Sequence, residues 1–199
     1  MVRHKYKIME KGLSLIESAM VLTLAAAVTA GVLYFYNSTK ENNALLETTK
    51  ALQSIISTTQ SLYGSRGQTA GATLSAQAVS SVSGIETGKP KIAKGEITVF
   101  YMPGGIAEAT FFLNGKNNNK TVFTVHTASK DACMGLAVLN LGTMATGKPR
   151  VAITSASQQT YDQAYNSAKE ISTPADAASV CNNINASKIA RIMYELKVQ

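Results

Sequence analysis

The hydrophobic pattern changes character twice along the chain. From Leu13 to Tyr36 (LSLIESAMVLTLAAAVTAGVLYFY) apolar and small residues run almost without a break, and Glu17 is the one charged position in the run. Ser18 to Tyr36 alone is nineteen residues, which at about 1.5 Å each nearly covers the ~30 Å hydrocarbon core of a bilayer. From Asn37 to Tyr63 the pattern becomes amphipathic: Leu45, Leu52, Ile55, Ile56, Leu62 and Tyr63 recur at helical spacings and no proline intervenes. The two stretches together predict one helix from Leu13 to about Ser65, roughly 80 Å long, of which only the second half has a face suited to packing on a globular domain.

Gly64 to Gly95 is rich in Ser, Gly, Ala and Thr and reads as a loop-like connection. Period-two and β-branched runs follow. Glu96 to Met102 (EITVFYM), Ala109 to Leu113 (ATFFL) and Thr121 to Thr127 (TVFTVHT) predict strands, separated by Pro103-Gly104-Gly105 and by Asn114 to Lys120. Ser129 to Asn140 reads as a helix and Val151 to Thr154 as a short strand. Thr173-Pro174 opens a further helix with a Thr cap and Pro in its first position, and Lys188 to Val198 returns to the sheet. The fold class is α+β: a long N-terminal helix, half membrane anchor and half amphipathic, packed on an antiparallel sheet with short helices. No second boundary or internal repeat interrupts residues 37–199, which are enough for one core.

Charge sharpens the reading of the N-terminus. Residues 1–12 (MVRHKYKIMEKG) carry Arg3, Lys5, Lys7 and Lys11 against Glu10 and precede the apolar run, the reverse of a secretory signal in which the apolar core precedes the cleavage site. The basic flank stays cytoplasmic and the remainder is exported. A carboxylate near the start of a span costs roughly 2.5–3.5 kcal/mol on insertion scales. Cleavage after Gly12 would remove the basic leader, keep the anchor, and create an amine at Leu13 able to offset the charge of Glu17.

The stretch KGLSLIES, with Lys11-Gly12 before the cut, a hydrophobic residue after it and Glu17 four further on, resembles the processing site of type IV pilins. Leu13 in place of the commoner Phe points to the type IVb branch. The longer EKGLSLIESAMVLTLAAAVTAGV and the later DACMGLAVLNLG resemble the bundle-forming pilins of enteric bacteria. The resemblance implies a basic leader of residues 1–12 that is removed, a transmembrane and filament-core helix over 13–36, and a globular domain over 37–199, periplasmic at first and then surface-exposed. It implies a prepilin peptidase cutting between Gly12 and Leu13, methylation of the Leu13 amine, and a role for Glu17 in assembly. Implied partners are further copies of the chain, an assembly ATPase with its inner-membrane platform, an outer-membrane secretin, and host or bacterial surfaces. The expected location is the inner membrane and then an extracellular pilus of a Gram-negative bacterium.

The remaining chemistry changes this picture little. Cys133 and Cys181 stand 48 positions apart; in an exported domain, two sparse cysteines favour one structural disulfide over buried thiols, and the resemblance implies the same bridge. With no CxxC motif, and with His4 in the leader, only His126 is left for metal binding, so neither a metal nor a cofactor is expected. His126 lies in an alternating strand and reads as a surface or hydrogen-bonded side chain, not a general base; no nucleophile-elbow or phosphate-cradling pattern occurs, so an enzyme is not expected. The formal charge of +7 falls to +4 without the leader, and the densest basic cluster, Lys89, Lys91 and Lys94 around Pro90, reads as a solvated loop, so nucleic acid is not an expected partner. Major subunit of a type IVb pilus serving adhesion and aggregation is the leading expectation. A minor pilin or pseudopilin of a secretion or conjugative system is the alternative.

Overall fold

The first helical stretch contains no proline and a single glycine, Gly31, so nothing in its interior breaks the hydrogen-bond ladder. In a computed structural model, which describes residues 15–63, 75–93, 97–114, 120–157 and 161–196, α1 runs unbroken over Leu15–Tyr63. The chain divides into two compact units, Met1–Lys40 and Glu41–Gln199. In the first, none of the helical residues 15–40 is buried. In the second, α1 buries Ala44, Thr48, Ala51, Leu52, Ile55, Ile56 and Thr59, a stripe at three- and four-residue spacing. Leu52, Ile55 and Ile56 are wholly buried, each contributing about 1.5–3 kcal/mol. Close approach is possible because Gly104 lies against Ala44, and the Thr48 hydroxyl donates to the Pro103 carbonyl at 3.2 Å.

Among the described residues, seven strands form one antiparallel sheet: β1 (Thr87–Gly88), β2 (Val99–Tyr101), β3 (Ala107–Asn114), β4 (Lys120–Thr127), β5 (Arg150–Ser155), β6 (Lys169–Glu170) and β7 (Lys188–Glu195). The order is β1-β2-β3-β4-β7-β5-β6. The final strand therefore enters the middle of the sheet, which explains why Ile189 to Tyr194 are all buried even though strand faces alternate. One face, with Phe100, Ala109, Phe123, Val125, Ala190, Ile192 and Val151, packs with α1, α3 (Lys130–Ala137) and α5 (Pro174–Cys181) in the main core. The other face places Val122, Ala152 and Met193 under Ala164 and Tyr165 of α4 (Tyr161–Ser167).

Five elements depart from the expectation. Part of the Gly64–Gly95 connection folds as α2 (Ala76–Ser83) and β1. The helix buries only Val79; its ends are set by Ser75, which accepts from Ala78 N–H, and by Gly84 at φ 71°, so capping and not apolar periodicity defines it. The helix expected to Asn140 stops at Ala137, and α4 and β6, which carry no strong periodic signal, were not anticipated. The Thr173 cap and Pro174 do open α5, where Asp176 completes a capping box. Lys169 and Thr173 hydrogen-bond the Asp176 carboxylate and lower its pKa.

Candidate functional site

Gly12 and Leu13 lie outside the described residues. Glu17 sits in the first turn of α1, where the positive end of the helix dipole favours a carboxylate. Beyond it, Met20, Val21, Leu22, Leu24, Val28, Val32, Leu33, Phe35 and Tyr36 are all exposed. This is the one helix among the described residues long and apolar enough to cross a membrane. In its apolar half the serine and threonine hydroxyls are turned back on their own backbone: Ser18 donates to Leu15 O at 3.0 Å, Thr23 to Ala19 O at 2.7 Å and Thr29 to Ala25 O at 2.8 Å. Apolar surroundings, lipid or other helices, would find these three hydroxyls already satisfied. The helix is continuous through Thr23, Thr29 and Gly31.

In the globular unit, taken by itself, the C-terminal half carries a covalent constraint. Cys133 of α3 and Cys181 at the end of α5 are both buried and form a disulfide, with Cα atoms 5.8 Å apart. The bridge closes a segment containing β5, α4 and β6. Beside it the Tyr194 hydroxyl donates to the Leu136 carbonyl, and burial raises the pKa of that phenol.

The sheet also carries a buried polar row that sequence reasoning did not assemble. In register across three strands stand Glu108, His126 and Arg191, each almost wholly excluded from solvent. The Glu108 carboxylate accepts from three successive backbone N–H groups, those of Lys91 (2.6 Å), Ile92 (3.0 Å) and Ala93 (3.4 Å). The lysine-containing loop thus does form an anion nest, and the chain fills it with its own acid. The Lys91 ammonium turns outward over the Tyr101 ring, 4.7 Å from its centroid. Burial and, secondarily, the Arg191 charge lower the His126 pKa from 6.5 to about 3, so the imidazole is neutral at physiological pH. The period-two placement of Glu108, Thr110 and Phe112 was the available signal for a shared face, but their pairing with β4 and β7 is non-local. Among the described residues no group of three or more His, Cys, Asp or Glu side chains could hold a metal ion.

Known proteins resemble this chain over most of its length. A family model described as Bundlin matches residues 37–197. Two curated relatives, each the major structural subunit of bundle-forming pilus, come from Escherichia coli O111:H- and Escherichia coli O127:H6 (strain E2348/69 / EPEC). They are 35% and 34% identical to the chain, in both cases over 94% of it and 95% of the relative. No solved structure matches significantly. With a match over most of its length to the family and to both relatives, the chain belongs to the bundlin family.

Proposed function

We propose that this protein is the major structural subunit of a type IVb pilus, polymerising through its N-terminal helix into a surface filament. The observation that carries the reading is the exposed apolar half of α1 in a chain whose relatives bear the name of a pilus major subunit. Burying that surface requires lipid or other copies, and a filament supplies the second after the membrane has supplied the first.

In this reading a prepilin peptidase cuts between Gly12 and Leu13, the new amine is methylated, and the subunit waits in the inner membrane with residues 37–199 in the periplasm. An assembly ATPase and platform extract it, and the fibre leaves through a secretin. Glu17 of an incoming subunit pairs with the Leu13 amine of a neighbour, which offsets a buried charge and sets register. Contacts between unlike surfaces that do not close into a ring extend as an open helix. The Cys133–Cys181 bridge holds the outer domain in an oxidising environment. Adhesion and bacterial aggregation are the uses this filament serves; the chain's own role is structural, not catalytic.

Electron microscopy of cells with and without the gene, joined to N-terminal sequencing of sheared fibres, tests this directly. Fibres composed mainly of a chain beginning at Leu13 are expected. A mature chain still beginning at Met1, or one that stays a solitary membrane protein while its assembly machinery is active, would refute it.

A further inference from the structure

The apolar half of α1 ends in a chemically distinct band. Within Leu15–Lys40 the only aromatic side chains are the three consecutive ones of Tyr34, Phe35 and Tyr36, which are 80%, 73% and 62% exposed. Consecutive residues step about 100° around a helix, so the three rings cover more than half of its circumference. Lys40 stands one turn beyond Tyr36 on the same face. It is exposed and forms no ion pair among the described residues. Glu17 and Lys40 are the only charged side chains of this stretch, one near each end.

Hydrogen bonding separates the band from the helix before it. Ser18, Thr23 and Thr29 give their hydroxyl protons to carbonyls of their own helix, whereas the hydroxyls of Tyr34 and Tyr36 have no partner among the described residues. A phenol held in hydrocarbon, or between apolar helices, forfeits its hydrogen bond. Lipid ester carbonyls, phosphates and interfacial water supply acceptors while the ring stays against the acyl chains, which is why tyrosine gathers at that layer. A lysine ammonium one turn further out reaches phosphate oxygens with its stem laid along the helix. From Leu15 to Leu33 the helix rises about 27 Å, close to the ~30 Å of a hydrocarbon core. One boundary at Tyr34 therefore puts the other near Glu17.

We propose that Tyr34, Phe35, Tyr36 and Lys40 form a collar that binds the ester and phosphate layer of the lipid on the exported side and thereby fixes the depth of the helix. The inference rests on the membrane stage of the filament reading and adds what holds the waiting subunit at one level. Raised from that level, the rings lose their contact with acyl chains; lowered, the two hydroxyls and the Lys40 ammonium lose their acceptors. With the collar seated, Glu17 lies about 26 Å along the axis from Tyr34, at the opposite edge of the hydrocarbon, where a carboxylate costs less than at the centre. The collar on one side thus decides where the acid waits on the other.

The test is a depth measurement on the full-length protein in vesicles of phosphatidylethanolamine and phosphatidylglycerol, with a nitroxide attached at Asn37→Cys or, separately, at Leu24→Cys. The native cysteines are tied in their disulfide and do not take the label. Relaxation by a water-soluble nickel chelate against relaxation by oxygen reads the depth. The Asn37 label is expected in the headgroup layer and the Leu24 label in the hydrocarbon. Replacing the collar's phenols, Tyr34→Leu with Tyr36→Leu, is expected to sink the Asn37 label by about 5 Å, one helical turn. None of these positions is buried, so the thermal melt of the globular unit is expected to stay where it is. An Asn37 label that keeps its depth when the phenols are gone would overturn the inference, as would one already in hydrocarbon in the parent chain. The measurement needs no assembly machinery: a Leu24 label open to the chelate would sink the membrane stage itself, and cells without fibres would sink the filament reading while leaving the depth result standing.

Discussion

Mild acid should loosen the globular unit, because His126 is buried in neutral form. Its folded pKa of about 3 lies far below the unfolded value of 6.5. Between those values the unfolded chain binds a proton that the folded chain refuses, so stability is full above pH 6.5 and falls as pH drops toward 3. The groups facing it across the sheet are Arg191 of β7, which opposes protonation, and Glu108 of β3, already committed to three backbone N–H groups. From pH 7 to pH 5 the linkage amounts to about 2 kcal/mol, since each unit below the unfolded pKa adds about 1.4 kcal/mol. At about 2–4 °C per kcal/mol for a unit of this size, the melting temperature should fall by roughly 4–8 °C. Near-ultraviolet circular dichroism of the detergent-solubilised protein is a suitable assay, because the chain has eight tyrosines and no tryptophan. His126→Gln should be less stable at pH 7 and nearly flat across the same range. A wild-type melt that does not move between pH 7 and 5, or a variant with the same slope, would refute the reasoning.

Other outcomes follow from the same structure. Replacing both Cys133 and Cys181 by serine should cost about 4 kcal/mol by the chain-entropy relation for a loop of this length, read as a lower urea midpoint. Gly104→Ala should be more costly than Gly105→Ala: both glycines have positive φ, but a Cβ on Gly104 would also meet Ala44, while one on Gly105 meets nothing; strain alone accounts for about 1–2 kcal/mol in each, and the difference between their melts measures the contact with α1. Glu108→Leu should leave three backbone N–H groups, that of Ala93 buried, without their acceptor and destabilise by about 2–4 kcal/mol, with faster hydrogen exchange confined to Lys91, Ile92 and Ala93. Glu17→Val should leave membrane insertion intact and abolish or sharply reduce filaments, and Gly12→Ala should block processing, seen as retention of the leader by mass spectrometry; normal pili from the first or a fully cleaved second would contradict the roles proposed for these residues.

Local patterns were sufficient for much of this molecule. The apolar run after Gly12, the amphipathic stripe ending at Tyr63, the aromatic and β-branched runs of β3 and β4, and the Thr173-Pro174 cap each depend on neighbours within a few positions, and each is legible without a fold. The short α2, held by its caps, and α4, which buries Ala164 and Tyr165 only once the sheet exists, escaped for the converse reason. The buried row depends instead on pairings distant along the chain. The insertion of β7 between β4 and β5 puts Arg191 beside His126, and the hairpin register puts Glu108 on its other side. The loop carrying Lys91 then closes over that acid. That one end of this chain suits apolar surroundings is a local property, because twenty-odd consecutive side chains need no partner to be hydrophobic. Which side chains share a buried row or a nest had to wait for the register of the sheet, because a strand displaced by a single residue would turn every one of them to the opposite face.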